Sequence, residues 1–140
     1  MKLYKLNLIL VILVYSVNSY GQNNKNSIFC QEELLGKSFI SDGQDHQVLL
    51  KSAKTAKFNV VFYPKFRYKL VICSNNKLLP IEFKLLDNSG SIYFSNVDKK
   101  YVREWEFQYS SIINAIVELK FIDDKIKEEN IRLLIGYQPL

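Results

Sequence analysis

Few residues in this 140-residue sequence have the type and spacing that catalysis requires. The single histidine, His46, lies in the segment SDGQDHQ beside Asp42 and Asp45. An Asp–His pair can act as a general base, but such a pair arises easily by chance in a turn. The sequence has no G-x-S-x-G, no H-E-x-x-H and no glycine-rich phosphate loop. We therefore predict no catalytic residue.

Acidic side chains offer two further kinds of chemistry. Glu104 and Glu106 would lie on one face of a strand about 7 Å apart, a separation that suits an inverting glycosidase. Every i, i+2 pair on a strand has this separation, so ordinary surface charge is the preferred interpretation. Loop oxygens can hold calcium, and the candidates are Asp42, Asp45, Asp87, Asn88, Asp123 and Asp124. They follow no spaced calcium motif and are predicted turn formers, so we expect no metal and no cofactor.

The two cysteines, Cys30 and Cys73, are predicted to form a structural disulfide. A pair of free thiols or a redox site is the alternative, but there is no C-x-x-C motif and no visible cation or helix start to activate a thiolate. In the chain-entropy model a loop of this length stabilises a fold by about 3–4 kcal/mol.

Aromatic side chains are the richest feature of the sequence, with nine tyrosines, nine phenylalanines and one tryptophan. Phenylalanines on the packed faces of predicted strands are assigned to the core: Phe58, Phe62, Phe83, Phe94, Phe107 and Phe121. The candidate ligand-contact residues are the aromatics expected outward or in loops, together with the tryptophan: Tyr63, Tyr93, Tyr101 and Trp105. Exposed aromatics of this kind stack on sugar rings or anchor a partner protein.

Residues 1–21 have the layout of a secretory signal peptide. Lys2 and Lys5 precede an apolar run over residues 6–17, and the small residues Ser19 and Gly21 follow. Cleavage after Gly21, or alternatively after Ser19, would leave one domain over residues 22–140. An uncleaved anchor is disfavoured because a spanning helix needs about 20 apolar residues. We expect a periplasmic or extracellular protein with no membrane span after cleavage.

The net charge argues against nucleic acid as a partner. It is +5 for the whole sequence and falls to +3 once Lys2 and Lys5 are removed. The remaining basic residues are spread along the chain rather than clustered, whereas phosphate-backbone binding needs a basic patch.

Alternating apolar and polar residues predict an all-β domain. The predicted strands cover residues 46–51, 58–63, 66–73, 81–86, 92–94, 104–109, 112–121 and 131–135. Hairpin-length connections and strands with one apolar face favour an antiparallel two-sheet sandwich, jelly-roll-like, of about seven to eight strands. Before the strands, residues 22–37 are predicted to form an N-terminal arm with one short helix over 27–36, which the disulfide would clip over one end of the sandwich.

Several segments resemble a group of small exported bacterial sandwich proteins of unassigned activity. They are RYKLVIC, FKLLDNSG, EWEFQYS and LLIGYQ, with a turn at Asp87, a packed Trp105 and a closing Gly136. More distantly the chain is similar to the pre-peptidase C-terminal type of jelly-roll domain, although Pro64 and Lys65 stand where that family usually has glycine. The resemblance covers roughly residues 28–138 and implies fold and compartment, without functional residues.

These features together predict a secreted or periplasmic, non-enzymatic binding or structural module of the cell envelope. Its partner would be another envelope protein or a glycan. The alternatives are a carbohydrate-binding module that uses exposed aromatics, and a small glycoside hydrolase that uses Glu104 or Glu106.

Overall fold

Two antiparallel β-sheets face each other in the computed structural model, which describes residues 30–140. The predicted signal peptide and residues 22–29 lie outside the described residues. The strands are β1 Ile40–Ser41, β2 His46–Lys51, β3 Thr55–Phe62, β4 Phe66–Ser74, β5 Ile81–Leu86, β6 Ile92–Ser95, β7 Glu104–Gln108, β8 Ile113–Phe121 and β9 Glu128–Pro139. The eight predicted strands are all present, and β1 is a ninth that the sequence analysis missed because it has only two residues.

The strand order separates neighbours in the sequence. One sheet has the order β1-β9-β4-β7, with β2 also paired to β9, and the other has the order β3-β8-β5-β6. Among the described strands, β5 and β6 are the one consecutive pair that forms a hairpin. Nearly every other short connection crosses from one sheet to the other, as in a jelly roll. The two-sheet antiparallel sandwich is confirmed, but the expected hairpins are mostly crossovers.

The alternation of side chains along the strands builds the core between the sheets. In β5, Phe83 is 0% exposed and Ile81 and Leu85 are 1% exposed, while the residues between them are half-buried. All the phenylalanines assigned to the core belong to this cluster or pack against it: Phe58, Phe62, Phe83, Phe94, Phe107 and Phe121. Burial of one face of each strand is what the period-two pattern predicted.

A second, smaller apolar cluster lies on the outer face of the five-stranded sheet. Cys30 and Leu35 of the N-terminal arm pack there against Val71, Cys73 and Leu134. The Cys30–Cys73 disulfide is present, with the two Cα atoms 5.8 Å apart, a usual separation for a bridge. The arm therefore covers the face of a sheet, not one end of the sandwich.

The predicted N-terminal helix is not supported. From Cys30 onward the chain makes only a 3₁₀ turn over Glu32–Leu35. The disulfide fixes Cys30, and Gly36 leaves the helical region with φ 85° and ψ 161°. A single turn between these two restraints cannot gain the hydrogen bonds that stabilise a longer helix. The direction of this turn is set by the burial of Leu35 against the sheet. A second 3₁₀ turn spans Val97–Lys99. Within residues 30–140, no helix has the length and apolar character needed to cross a bilayer.

Candidate functional site

One end of the sandwich, which we call the tyrosine end, carries little charge and several exposed apolar residues. It consists of the loops 63–65, 87–91 and 109–112 and the C-terminal Leu140. Its charged residues are Lys65 and Asp87. The loops at the opposite end carry many more charges: Lys54, Lys77, Asp98, Lys99, Lys100, Arg103, Asp123, Asp124, Lys125 and Lys127. The exposed apolar side chains at or beside the tyrosine end are Val61, Tyr63, Ile92, Tyr93, Ile112 and Leu140.

A continuous series of aromatic rings supports this end from inside. Tyr93 of β6 lies 5.7 Å from Tyr109, measured between ring centroids, and Tyr109 lies 5.4 Å from Phe107 of β7. Phe107 and Tyr68 each pack against Phe62, at 4.8 Å. The series continues through Phe66 to Tyr137 of β9. Because offset and edge-to-face rings attract one another beyond their burial, this cluster stabilises the tyrosine end.

A cavity of about 320 Å³ lies between the sheets beside this aromatic cluster. We call it the end cavity. Its wall comes from Phe62 of β3, Phe66 and Tyr68 of β4, and Tyr137 of β9. Tyr63, half-exposed at 52%, lies at its rim. The backbone N–H of Tyr63 donates a 2.9 Å hydrogen bond to the hydroxyl of Tyr68, which fixes the rim to the wall.

Asp42 and Gln44 of the β1–β2 loop contribute polar groups to the end cavity. The loop is held because the Asp42 N–H donates to the Ile135 carbonyl at 2.9 Å. The Asp42 carboxylate accepts the Gln44 N–H at 2.9 Å. On its other side, Asp42 Oδ2 lies 3.7 Å from Nε2 of His46. Asp42 is the one charged residue that lines this cavity in the described part of the chain.

His46 faces inward from β2 and packs edge-on against Phe58, with ring centroids 5.4 Å apart. Its Nε2 is buried and makes no hydrogen bond to residues 30–140. No serine, threonine or cysteine side chain bonds to it in that part of the chain, so the geometry gives no nucleophile–histidine pair. Asp45, the other acid of the segment, turns away and binds Nε of Arg132 at 3.1 Å.

The four candidate aromatics do not share one surface. Tyr63, which directly follows β3, and Tyr93 of β6 both lie at the tyrosine end, but β3 and β6 are the outer strands of the four-stranded sheet, roughly 14 Å apart by strand spacing. Trp105 is half-buried and stacks on Phe94, with ring centroids 4.0 Å apart. Tyr101 follows the second 3₁₀ turn at the opposite end. These four positions do not form one continuous aromatic platform. Trp105 fills the space between β6 and β7 instead of facing outward with the tyrosines.

The glutamates considered for glycoside chemistry lie on the outer face of β7. Their carboxylates are both close to Nζ of Lys69, at 2.9 Å for Glu104 and 3.9 Å for Glu106. A second cavity, of about 440 Å³, is lined by Glu104 and Arg103 but not by Glu106. The Arg103 guanidinium is already bonded to Ser74 Oγ and to the carbonyls of Asn76 and Leu79, so it acts as a structural clamp there. Burial lowers the pKa of Arg103.

The loop acids form turns. The Asp87 carboxylate accepts hydrogen bonds from Ser89 Oγ and from the N–H groups of Ser89 and Ser91. These bonds, led by the one from Ser89 Oγ, lower the pKa of Asp87. Asp42 and Asp123 accept the N–H two residues further on in the same way. Within residues 30–140, no group of three or more His, Cys, Asp or Glu residues is placed to hold a metal ion.

Sequence reasoning missed the end cavity and much of its wall. Tyr68 and Tyr109 fall in predicted strands, and their periodicity places them on the packed face. The signal that was available is the high density of aromatics near the ends of β3, β4, β7 and β9. The sequence does not show that these ends meet, because β7 and β9 lie far from β3 and β4 in the chain. At Tyr109, burial and the nearby Tyr93 raise the pKa of the hydroxyl.

Comparison with known proteins shows the fold alone. No family model matches the sequence, and no curated protein matches it. PliG of Aeromonas hydrophila, a periplasmic lysozyme inhibitor of g-type lysozyme, is similar in structure with a TM-score of 0.53 and 8% sequence identity, over 68% of this chain and 85% of that chain. The Yersinia pseudotuberculosis-derived mitogen has a TM-score of 0.38 and 16% identity, over 59% of this chain and 85% of that chain, and supports no further conclusion. A link to the pre-peptidase C-terminal type domain is not shown.

Proposed function

We propose that this chain is an exported, non-enzymatic binding module that holds a protein partner against the tyrosine end. The observation that carries the proposal is that the exposed apolar side chains of this end lie among almost no charged residues, whereas those of the opposite end, such as Leu78, lie among many. Ile112 is 58% exposed there, Tyr63 52% and Tyr93 44%. Protein interfaces are depleted in charge at their centre and enriched in tyrosine. Exposed apolar patches with polar surroundings mark such sites.

The likeness in fold to PliG supports a protein partner but does not identify it. PliG, which is similar in fold, is a periplasmic protein that inhibits an enzyme. A g-type lysozyme is therefore the first partner to test, and another envelope protein is the second. The Cys30–Cys73 bridge supports export because structural disulfides persist in oxidising compartments. Export is tested by N-terminal sequencing of the mature protein, which should begin at Gln22, or at Tyr20 if cleavage follows Ser19.

The binding experiment compares two surface variants. Tyr63→Ser with Ile112→Ser alters the tyrosine end, and Leu78→Ser with Tyr101→Ser alters the opposite end, where Leu78 is 91% exposed. Each variant is tested for binding to immobilised g-type lysozyme and for cross-linked recovery of partners from the native envelope.

We expect the opposite-end variant to bind like the wild-type protein and the tyrosine-end variant to lose binding at least tenfold, since central interface residues each contribute about 1–2 kcal/mol or more. Equal binding by both variants would place the interface elsewhere. Recovery of the protein alone, with no lysozyme binding, would contradict the proposal of a protein partner.

A further inference from the structure

We infer that the end cavity binds a cationic group on a short alkyl chain, the chemistry shared by a lysine side chain and a free alkylamine. This goes beyond the proposed function, because the cavity would bind such a group whether or not a protein covers the tyrosine end. The inference depends on the size of the cavity, its aromatic wall and its single carboxylate.

The size of the cavity limits the ligand. At about 320 Å³ it lies at the small end of ligand pockets, which measure roughly 300–1,000 Å³. One side chain or a small molecule fits this space better than a sugar chain. Val60 and Ile135 add aliphatic surface deep in the wall, which suits the methylene groups of an alkyl chain.

The aromatic wall favours a cation over an anion. Phe66, Tyr68 and Tyr137 line the cavity, and Tyr63 lies at its rim. The face of an aromatic ring carries partial negative charge and attracts ammonium and guanidinium groups. A cation placed over the face of any of these rings gains this attraction. No lysine or arginine of the described residues lines the cavity to attract an anion instead.

Asp42 supplies the complementary charge. Its side chain is 19% exposed, and among the described residues it accepts one hydrogen bond, from the Gln44 N–H. A carboxylate has lone pairs for about four hydrogen bonds, so most of its capacity is unused. The neighbouring His46 Nε2, at 3.7 Å, is beyond hydrogen-bonding distance. A neutral ligand would desolvate this carboxylate without compensation, whereas an ammonium group would pair with it.

The test uses small probes that differ in charge at constant chain length. The purified protein is titrated with n-butylammonium, n-butanol and butyrate at about pH 8, well below the pH at which an alkylamine loses its proton. The amide signals of Gln44 and Tyr63 are followed by NMR. We expect saturable shifts with n-butylammonium and affinities at least roughly tenfold weaker for the alcohol and the carboxylate.

Two variants and one control locate the site. Asp42→Asn keeps the oxygen that accepts the Gln44 N–H and removes the charge, and we expect it to weaken n-butylammonium binding roughly tenfold or more. Tyr63→Ala should weaken it roughly threefold or more. The control is Asp45→Asn, which removes the same charge from the same loop at a side chain that is 60% exposed and does not line the cavity.

A further arm separates the two sources of the cation. Nα-acetyl-lysine methylamide, which presents a lysine side chain, is compared with n-butylammonium, and binding of either supports the inference. Equal binding of n-butanol and n-butylammonium would overturn it. An equal effect of Asp42→Asn and Asp45→Asn would also overturn it, because loss of net charge rather than the cavity would then explain the result.

Discussion

The N–H of Tyr63 and the hydroxyl of Tyr68 form a 2.9 Å hydrogen bond between the start of the β3–β4 loop and the wall of the end cavity. Tyr68 is 7% exposed, so water has little access to replace this bond. The two residues lie on opposite sides of the turn that takes the chain from one sheet to the other. The bond therefore fixes the position of Tyr63 at the rim of the end cavity.

Tyr68→Phe should lower the free energy of unfolding by about 1 kcal/mol or more, because it leaves the Tyr63 N–H without its partner. Urea denaturation measures this change. Tyr101→Phe is the matched control, since the Tyr101 hydroxyl makes no hydrogen bond to residues 30–140. Equal stability of the two variants would show that water satisfies the Tyr63 N–H.

Gly136→Ala should destabilise the protein by about 1–3 kcal/mol through overpacking. An added Cβ would lie 3.0 Å from Phe39 Cβ and 3.1 Å from the methyl carbons of Leu35. Denaturation of Leu35→Ala, Gly136→Ala and the double variant forms a thermodynamic cycle. If the arm is the obstacle, the double variant will be more stable than the sum of the single effects predicts; strict additivity would mean that the two residues are independent.

Loss of the disulfide should cost about 3–4 kcal/mol, because the bridge closes a loop with a sequence separation of 43. The double variant Cys30→Ser with Cys73→Ser tests this by urea denaturation. Reductant should destabilise the wild-type protein and leave the double variant unchanged. Intact mass after thiol labelling provides the direct check: two labelled thiols in the unreduced protein would refute the bridge.

Asn96→Ala should destabilise the protein by about 2–4 kcal/mol. The Asn96 side chain is completely buried. Its Oδ1 accepts the Phe83 N–H at 2.8 Å, and its Nδ2 donates to the carbonyls of Ile81 and Val102. Alanine would leave all three backbone groups unpaired. Asn75→Ala, at an exposed position, is the control. If both variants lowered the free energy of unfolding by a similar small amount, water would have to enter the site and replace the Asn96 side chain.

Asp87→Asn should make the free energy of unfolding less dependent on pH in the acid range. The pKa of Asp87 is lowered in the folded protein from the ordinary value of 3.8. Its contribution to stability is therefore complete above about pH 4 and is lost as the pH falls through the folded pKa. Unfolding measured between about pH 2 and pH 5 should be less pH-dependent in the variant, and an NMR titration of Asp87 in the wild-type protein should place its pKa below 3.8. A titration at or above that value would contradict the assignment.

Local patterns in the sequence were enough to place the strands and their buried faces. The alternation around Phe83 and Phe107 identified core positions because one face of each strand packs and the other does not. Which strands pair with each other was not predictable, since β9 pairs with strands that lie more than fifty residues earlier. For the same reason the end cavity was missed: Asp42, Tyr68 and Tyr137 meet only through these long-range pairings. The role of Asn96 was not predictable either, because its side chain bonds to Ile81 and Phe83 of β5, which lie more than ten residues earlier.

The position of β9 also sets the order in which the sheet can form. This strand covers residues 128–139 and pairs with β1, β2 and β4. Within residues 30–140, β1 and β2 pair with no other strand. Neither strand can therefore pair until β9 is available. The five-stranded sheet therefore closes late, through long-range contacts, and closure of this kind makes folding slow.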